Sequence, residues 1–309
     1  MILVDDPVVR DARLGVFTAR GHPVGSRRIR RTMSRSAHNL SNTSPPARRP
    51  VQAIVEAGDP TTTESDTMAD ADINFYFDPV CPFAWMTSKW IRMVQAQRDY
   101  AVEWRFISLR LLNAHIDYDA HFPPEYEAGH TAGLRLLRAA AGVRREHGIE
   151  PLGRLYEAFG TRIFDSHTGT YLVDGRDDRG TENFLRPVLD ELGLPAHHVD
   201  ALDDTSFDAE IQAETDEALG LTGRDVGTPI IHFEPPEGVA FFGPVISRLP
   251  SDEDALVLWD HVVGLARFPG FAELKRSLRE RPQLTAFGVT TEQAGVQEDW
   301  HGGSRRTKK

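Results

Sequence analysis

The 309-residue sequence predicts an α/β fold with a helical segment set into its middle. Three observations carry that expectation. Residues 73–108 read as strand, helix, strand; the stretch from about 124 to 219 shows helical periodicity and no strand; strands return after Gly220 as a hairpin followed by a helix. The composition, 40% apolar and 26% charged, is that of a globular chain.

The first 67 residues stand apart. They hold Arg27-Arg28-Ile29-Arg30-Arg31, a Ser/Asn/Thr stretch and Pro45-Pro46, with no apolar periodicity, and count 10 Arg against 7 acids. They read as a disordered basic extension, or as sequence upstream of a start at Met68 or Met33; the Pro-broken pattern argues against a transit peptide. Ile73-Asn74-Phe75-Tyr76-Phe77 is an aromatic and β-branched run stopped by Asp78-Pro79, which predicts a buried strand. Pro82 suits the first position of the helix that follows, marked by Met86, Trp90, Met93/Val94 and Gln97. Val102–Ser108 alternates as a second strand. The middle carries helical faces at Leu134/Leu137/Ala141, Leu152/Leu155/Tyr156/Phe159 and Phe184/Val188/Leu189/Leu192. Ile230–Phe233 and Val239–Phe242, joined by Glu234-Pro235-Pro236-Glu237-Gly238, read as an antiparallel hairpin. A helix from Asp252 to about Arg267 starts at Ser251, with Asp254 in a near capping box. From about Ala286 the chain reads as a solvated tail.

The net charge of -11 argues against a general affinity for nucleic acid or anionic membrane. No apolar run reaches a membrane span and the N-terminus lacks a secretory h-region, so the expected location is the cytoplasm. A homodimer stays open.

Cys81 is the only cysteine, which excludes an intramolecular disulfide and a cysteine-based zinc site. Its setting, strand–Asp-Pro-Val-Cys-Pro–helix, is the one that makes a reactive thiolate. Backbone N–H groups at a helix N-terminus point at the sulfur, the macrodipole adds positive potential, and such thiols fall from a pKa of about 8.5 to roughly 3.5–7.5. A buried structural cysteine is the competing reading. Val226-Gly227-Thr228-Pro229-Ile230-Ile231 places a proline just before a strand, where a trans turn is the bland reading.

These segments together resemble the DsbA-like branch of the thioredoxin superfamily. The motifs Phe77–Trp85, Ser108–Asn113, Asp225–His232 and Phe241–Val245 are similar, more closely, to the actinobacterial mycothiol-dependent nitroreductase group. The resemblance implies a thioredoxin fold with a helical insertion domain: thioredoxin-like parts at 68–123 and 221–285, the insertion at 124–220, and tails at 1–67 and 286–309. It implies a Thr228–Pro229 bond in the cis form opposite the cysteine, and a thiol- or substrate-binding site built from Pro82, Phe83, Trp85, Asn113, Tyr126, Thr228 and Pro229 around a catalytic Cys81. It also implies mycothiol or another low-molecular-weight thiol as cosubstrate rather than a bound cofactor, with a small-molecule or disulfide substrate.

The family pattern is Cys-Pro-Trp-Cys; here Phe83 stands for Trp and Ala84 for the second cysteine. An internal dithiol cycle is thereby excluded. A monothiol cycle through a mixed disulfide is expected, acting on disulfides or nitro compounds. A glutathione-transferase- or isomerase-like enzyme of the same fold and a redox-inactive binding protein stay open. His115 could assist proton transfer. His197 and His198 are adjacent and so do not share a helix face; no metal site is expected, and no phosphate loop, dinucleotide fingerprint or Gly-x-Ser-x-Gly elbow is found.

Overall fold

The computed structural model describes residues 71–121, 125–166, 172–173, 176–275, 278–289 and 297–299, all within one compact unit. The expectations for 1–67 and for the basic C-terminus lie outside these residues.

Strand β1 (Ile73–Phe77) is buried along its whole length, which is why four of its five residues are apolar or aromatic, Asn74 being the exception. Its neighbours are β2 (Val102–Phe106) and β5 (Ile230–Phe233), and β6 (Val239–Phe242) closes a four-stranded sheet in the order β2-β1-β5-β6. β1 and β2 are parallel, with Phe75 opposite Trp104, and helix α1 (Pro82–Gln97) makes the crossover between them. β5 runs antiparallel to β1, with Ile231 opposite Phe75, and pairs with β6 as the expected hairpin. Helix α8 (Asp252–Ala266) starts at Ser251, whose side chain accepts from the Asp254 N–H. It packs on α1 through an edge-to-face pair of Trp90 and Trp259 and a bond from Trp90 Nε1 to the Ala255 carbonyl.

Between β2 and β5 the chain is mostly helical: α2 (Leu109–Leu112), α3 (Tyr118–His121), α4 (Glu125–His147), α5 (Leu152–Gly160), α6 (Glu182–Leu192) and α7 (Asp208–Thr222). This topology is the thioredoxin fold with a helical insertion. The insertion also holds a two-residue antiparallel pair, β3 (Leu172–Val173) with β4 (Arg176–Asp177), too short to show a period in sequence.

Two devices lock the layers together. Tyr156 of α5 stacks on Phe77, with ring centroids 3.9 Å apart, which joins the insertion to the sheet. The edge strand β2 is covered by α7: the Glu214 carboxylate accepts the Phe106 N–H at 2.6 Å and an Arg144 N–H at 2.6 Å, and Thr215 Oγ1 accepts the Ser108 N–H. The C-terminal end of this strand edge is thus satisfied by side chains, which helps keep it from templating another chain.

Leu284 is buried in the main core with Ala286 and Phe287 packed against it, and β7 (Leu278–Glu280) pairs with β8 (Gln297–Asp299). Short apolar runs between polar residues show no periodicity, so sequence alone reads them as tail.

Trp85 of α1 lies flat against Gly160 at the end of α5, where a Cβ would overlap the indole, and its Nε1 donates to Asp165. Gly160→Ala is therefore expected to destabilise the fold by about 1–3 kcal/mol, read as a lower chemical-denaturation midpoint.

Candidate active site

Cys81 is the N-cap residue of α1, with Pro82 at the first helical position. Its sulfur sits between two backbone groups. The Ala84 N–H donates to Sγ at 3.4 Å, and Sγ–H donates to the Thr228 carbonyl at 3.4 Å. The Thr228–Pro229 bond is cis, and Thr228 is fixed by its own hydroxyl, which donates to the Tyr76 carbonyl of β1. Cys81, Pro82, Thr228 and Pro229 therefore meet as one constellation across the end of the sheet. Phe83, Ala84 and Leu109 pack around the sulfur, with Val245 against them.

The expected thiolate is not what this enclosure favours. Cys81 is only 6% exposed, and burial pushes its thiol up to about 11; the N–H of Ala84 works in the opposite direction, and the nearby Asp78 charge adds to the rise. The helix terminus does supply its N–H, but loss of water outweighs it. With the sign worked out, alkylation of Cys81 in the native protein is expected to be slow at neutral pH and to climb about tenfold per pH unit toward pH 11. A rate that levels off near pH 7 would overturn this.

Asp78 is a site residue whose role the sequence did not disclose. It is fully buried, and its carboxylate accepts the Val80 N–H at 2.9 Å and the Leu109 N–H at 2.7 Å. It thereby ties the turn before Cys81 to the first residue of α2. Burial raises it to about 6, against the pull of those two N–H groups and of Arg179. Gly133 of α4 makes room for it, since a Cβ there would come within 2.6 Å of Oδ1. The Asp-Pro pair after a strand reads as a turn signal; the partner 31 residues on is visible only in three dimensions.

Asn113 caps the end of α2 and is fully buried. It lies beside Tyr118, yet neither Oδ1 nor Nδ2 reaches hydrogen-bond geometry with a protein group. Tyr118 meets His130 Nδ1 at 3.0 Å, and the half-buried Tyr126 ring packs edge-on to His130. Burial pushes His130 down to about 3, so it is neutral. Asn113 and Tyr126 are thus joined through Tyr118 and His130. Trp85 is 2% exposed and packs in the core against Tyr156 and Gly160. His115 is exposed.

His197 and His198 form a neighbouring pair of rings, with centroids 4.5 Å apart. The pair lies in a 3₁₀ segment, Ala196–Asp203, rather than an α-helix, and both imidazoles converge on Glu146 at the end of α4.

A sequence model described as Rv2466c-like, mycothiol-dependent nitroreductase Rv2466c, matches residues 80–276, which span the thiol turn, the insertion and the Thr228–Pro229 segment. The chain belongs to this family. Membership makes it a thiol-dependent oxidoreductase of a mycothiol-linked family. A relative from Mycobacterium tuberculosis, the uncharacterized protein Rv2286c, is 33% identical over 205 residues, 66% of this chain and 81% of the relative. Among solved structures, the cytosolic disulfide reductase DsbM from Pseudomonas aeruginosa aligns with 16% identity and a TM-score of 0.39, covering 63% of this chain and 99% of that one. The reduced disulfide bond oxidoreductase DsbG from Mycobacterium tuberculosis aligns with 18% identity and a TM-score of 0.37, covering 64% and 88%. Among the described residues no helix is long and apolar enough to cross a membrane.

Proposed function

We propose that this family member is a monothiol oxidoreductase in which Cys81 cycles through a mixed disulfide with a low-molecular-weight thiol, mycothiol or a thiol of the same chemistry. The observation that carries the reading is the setting of the chain's one thiol. It lies at the N-cap of α1, between the Ala84 N–H and the Thr228 carbonyl, with alanine where a resolving cysteine would stand.

In the first half-reaction Cys81 Sγ attacks one sulfur of a substrate disulfide. A new S–S bond forms, the substrate S–S bond breaks, and the departing sulfur takes the electron pair and the proton that Sγ loses. In the second, an external thiol attacks the mixed disulfide, is itself oxidised to a disulfide, and returns Cys81 as a thiol. With a nitro compound as acceptor, two thiols become one disulfide while the nitro group loses one oxygen as water and becomes nitroso. The backbone at Thr228–Pro229 lies against the reacting sulfur, and Pro82, Phe83, Asn113 and Tyr126 are the side chains we assign to the binding site. We place the reaction in the cytosol, where such thiols are held reduced.

Intact-mass measurement after exposure to mycothiol disulfide tests the reading. One thiol adduct per chain, mapped to Cys81 and removed by free thiol, is the expected result. An unmodified chain under conditions that modify an exposed control thiol would transfer support to the transferase-like or binding reading.

A further inference from the structure

Away from the thiol, three side chains converge where the end of α4 meets the 3₁₀ segment Ala196–Asp203. Glu146, His197 and His198 each offer one atom, and all three atoms lie within 4.8 Å of one another. His147 stands beside this group rather than within it, its Nε2 3.2 Å from Nε2 of His198 and 3.6 Å from Oε1 of Glu146. His197 Nε2 is 2.7 Å, and His198 Nε2 3.7 Å, from Oε2 of Glu146. We propose that Glu146, His197 and His198, with His147 beside them, form a binding site for a divalent first-row transition cation of the Zn²⁺ type.

The chemistry and the spacing both point there. Three imidazole nitrogens and one carboxylate are a tetrahedral zinc donor set. Metal–nitrogen bonds of about 2.0–2.1 Å put two ligand nitrogens of a tetrahedral ion about 3.3 Å apart, close to the 3.2 Å between His147 and His198. Two imidazole nitrogens facing each other at that distance share at most one proton, as do His197 Nε2 and the Glu146 oxygen. A cation at the centre takes the place of both shared protons while the imidazoles stay neutral, their remaining protons on Nδ1.

The surroundings suit a cation. The site lies on the last turn of α4, where the helix dipole is negative. The neighbouring guanidinium groups are engaged elsewhere: Arg144 pairs with Glu210 and Glu214, and Arg145 with Glu210. His198 is 3% exposed and its Nδ1 edge packs on Gly142, where an added Cβ would sit 3.5 Å from Nδ1, so the ring is held in place by α4 itself. His197 and Glu146 are exposed, leaving the site open for entry. Bound metal would tie α4 to the 3₁₀ segment, joining two parts of the insertion that lie about fifty residues apart in the chain.

The test uses the full chain without an affinity tag, stripped with a chelator and titrated with Zn²⁺ by calorimetry and with Co²⁺ by absorption. A single equivalent per chain, intense tetrahedral Co²⁺ bands and a raised melting temperature on Zn²⁺ addition are expected. His197→Ala, at an exposed position, keeps the fold, and it should weaken binding at least about a hundredfold; Glu146→Gln should do likewise. Cys81→Ser should retain the full equivalent. Absence of Zn²⁺ uptake by the wild type, unchanged affinity in both His197→Ala and Glu146→Gln, or loss of the metal in Cys81→Ser would each overturn the proposal.

Discussion

Cys81→Ser is expected to reduce thiol–disulfide exchange at least about a thousandfold while leaving the fold and its stability nearly unchanged. The separation of the two effects follows from the geometry. Sγ accepts one bond, from the Ala84 N–H, and donates one, to the Thr228 carbonyl. A serine hydroxyl can do both, and serine is among the favoured N-cap residues. The local structure therefore has a replacement for every contact the sulfur makes. The chemistry has none, because a hydroxyl neither ionises in the accessible pH range nor forms a disulfide. The comparison requires exchange rates for both proteins with the same thiol and disulfide, alongside denaturation curves. Retention of exchange activity by the serine variant would remove Cys81 from the mechanism. A large loss of stability would show that the thiol's enclosure has a structural purpose the two hydrogen bonds do not account for.

The raised thiol adds a kinetic condition. With a pKa near 11, only about one molecule in ten thousand holds a thiolate at pH 7 in the resting state. Exchange at useful rates then requires the substrate to change the environment of the sulfur. Phe83, Ala84 and Leu109 cluster with Cys81, Val245 packs against that cluster, and Sγ–H donates to the Thr228 carbonyl. A bound disulfide that moves Val245 aside and takes over the backbone at Thr228 removes both restraints at once.

What the sequence disclosed, and what it did not, divides by the range of the interaction. β1, α1 with Pro82 at its first position, the β5–β6 hairpin and the Ser251 cap are written in residues a few positions apart, and each was legible. The pairing of Cys81 with Thr228 was legible only through family resemblance, since 147 residues separate them. The protonation state of the thiol was not legible, because a helix N-terminus lowers a pKa locally while the burial that raises it depends on the folded surroundings, which include Leu109, 28 residues on. Asp78 read as turn chemistry until Leu109 appeared as its partner. Trp85 sits one turn from Cys81 and looked like a pocket wall, but Gly160 offers it a flat surface in the core. His197 and His198 fail the helix-face test for metal ligands, and that test does not apply to a 3₁₀ segment whose partner residues lie on another helix.

Ala84→Cys is expected to convert the thiol-dependent cycle into an internal one. Ala84 is fully buried, and its N–H already points at Cys81 Sγ, so a sulfur on its Cβ would lie one helical turn from the nucleophile. In a Cys-x-x-Cys turn the second thiol attacks the mixed disulfide intramolecularly, at an effective concentration of about millimolar or higher that is independent of added thiol. The variant should accumulate an 81–84 disulfide in place of the mixed disulfide, and its first-turnover rate should lose most of its dependence on thiol concentration. The added sulfur enters a packed position between Phe83 and Leu109, at a stability cost of about 1–3 kcal/mol, so denaturation curves belong beside the kinetics. Intact mass under native and alkylating conditions distinguishes the two disulfides directly. If the variant folds, both thiols alkylate, and no internal disulfide forms while the wild type also resists mycothiol disulfide, then the enclosure around Cys81 has left exchange chemistry behind. In that case the bound thiol is a ligand or a transferred group, and the activity lies in what Phe83, Asn113 and Tyr126 hold against it.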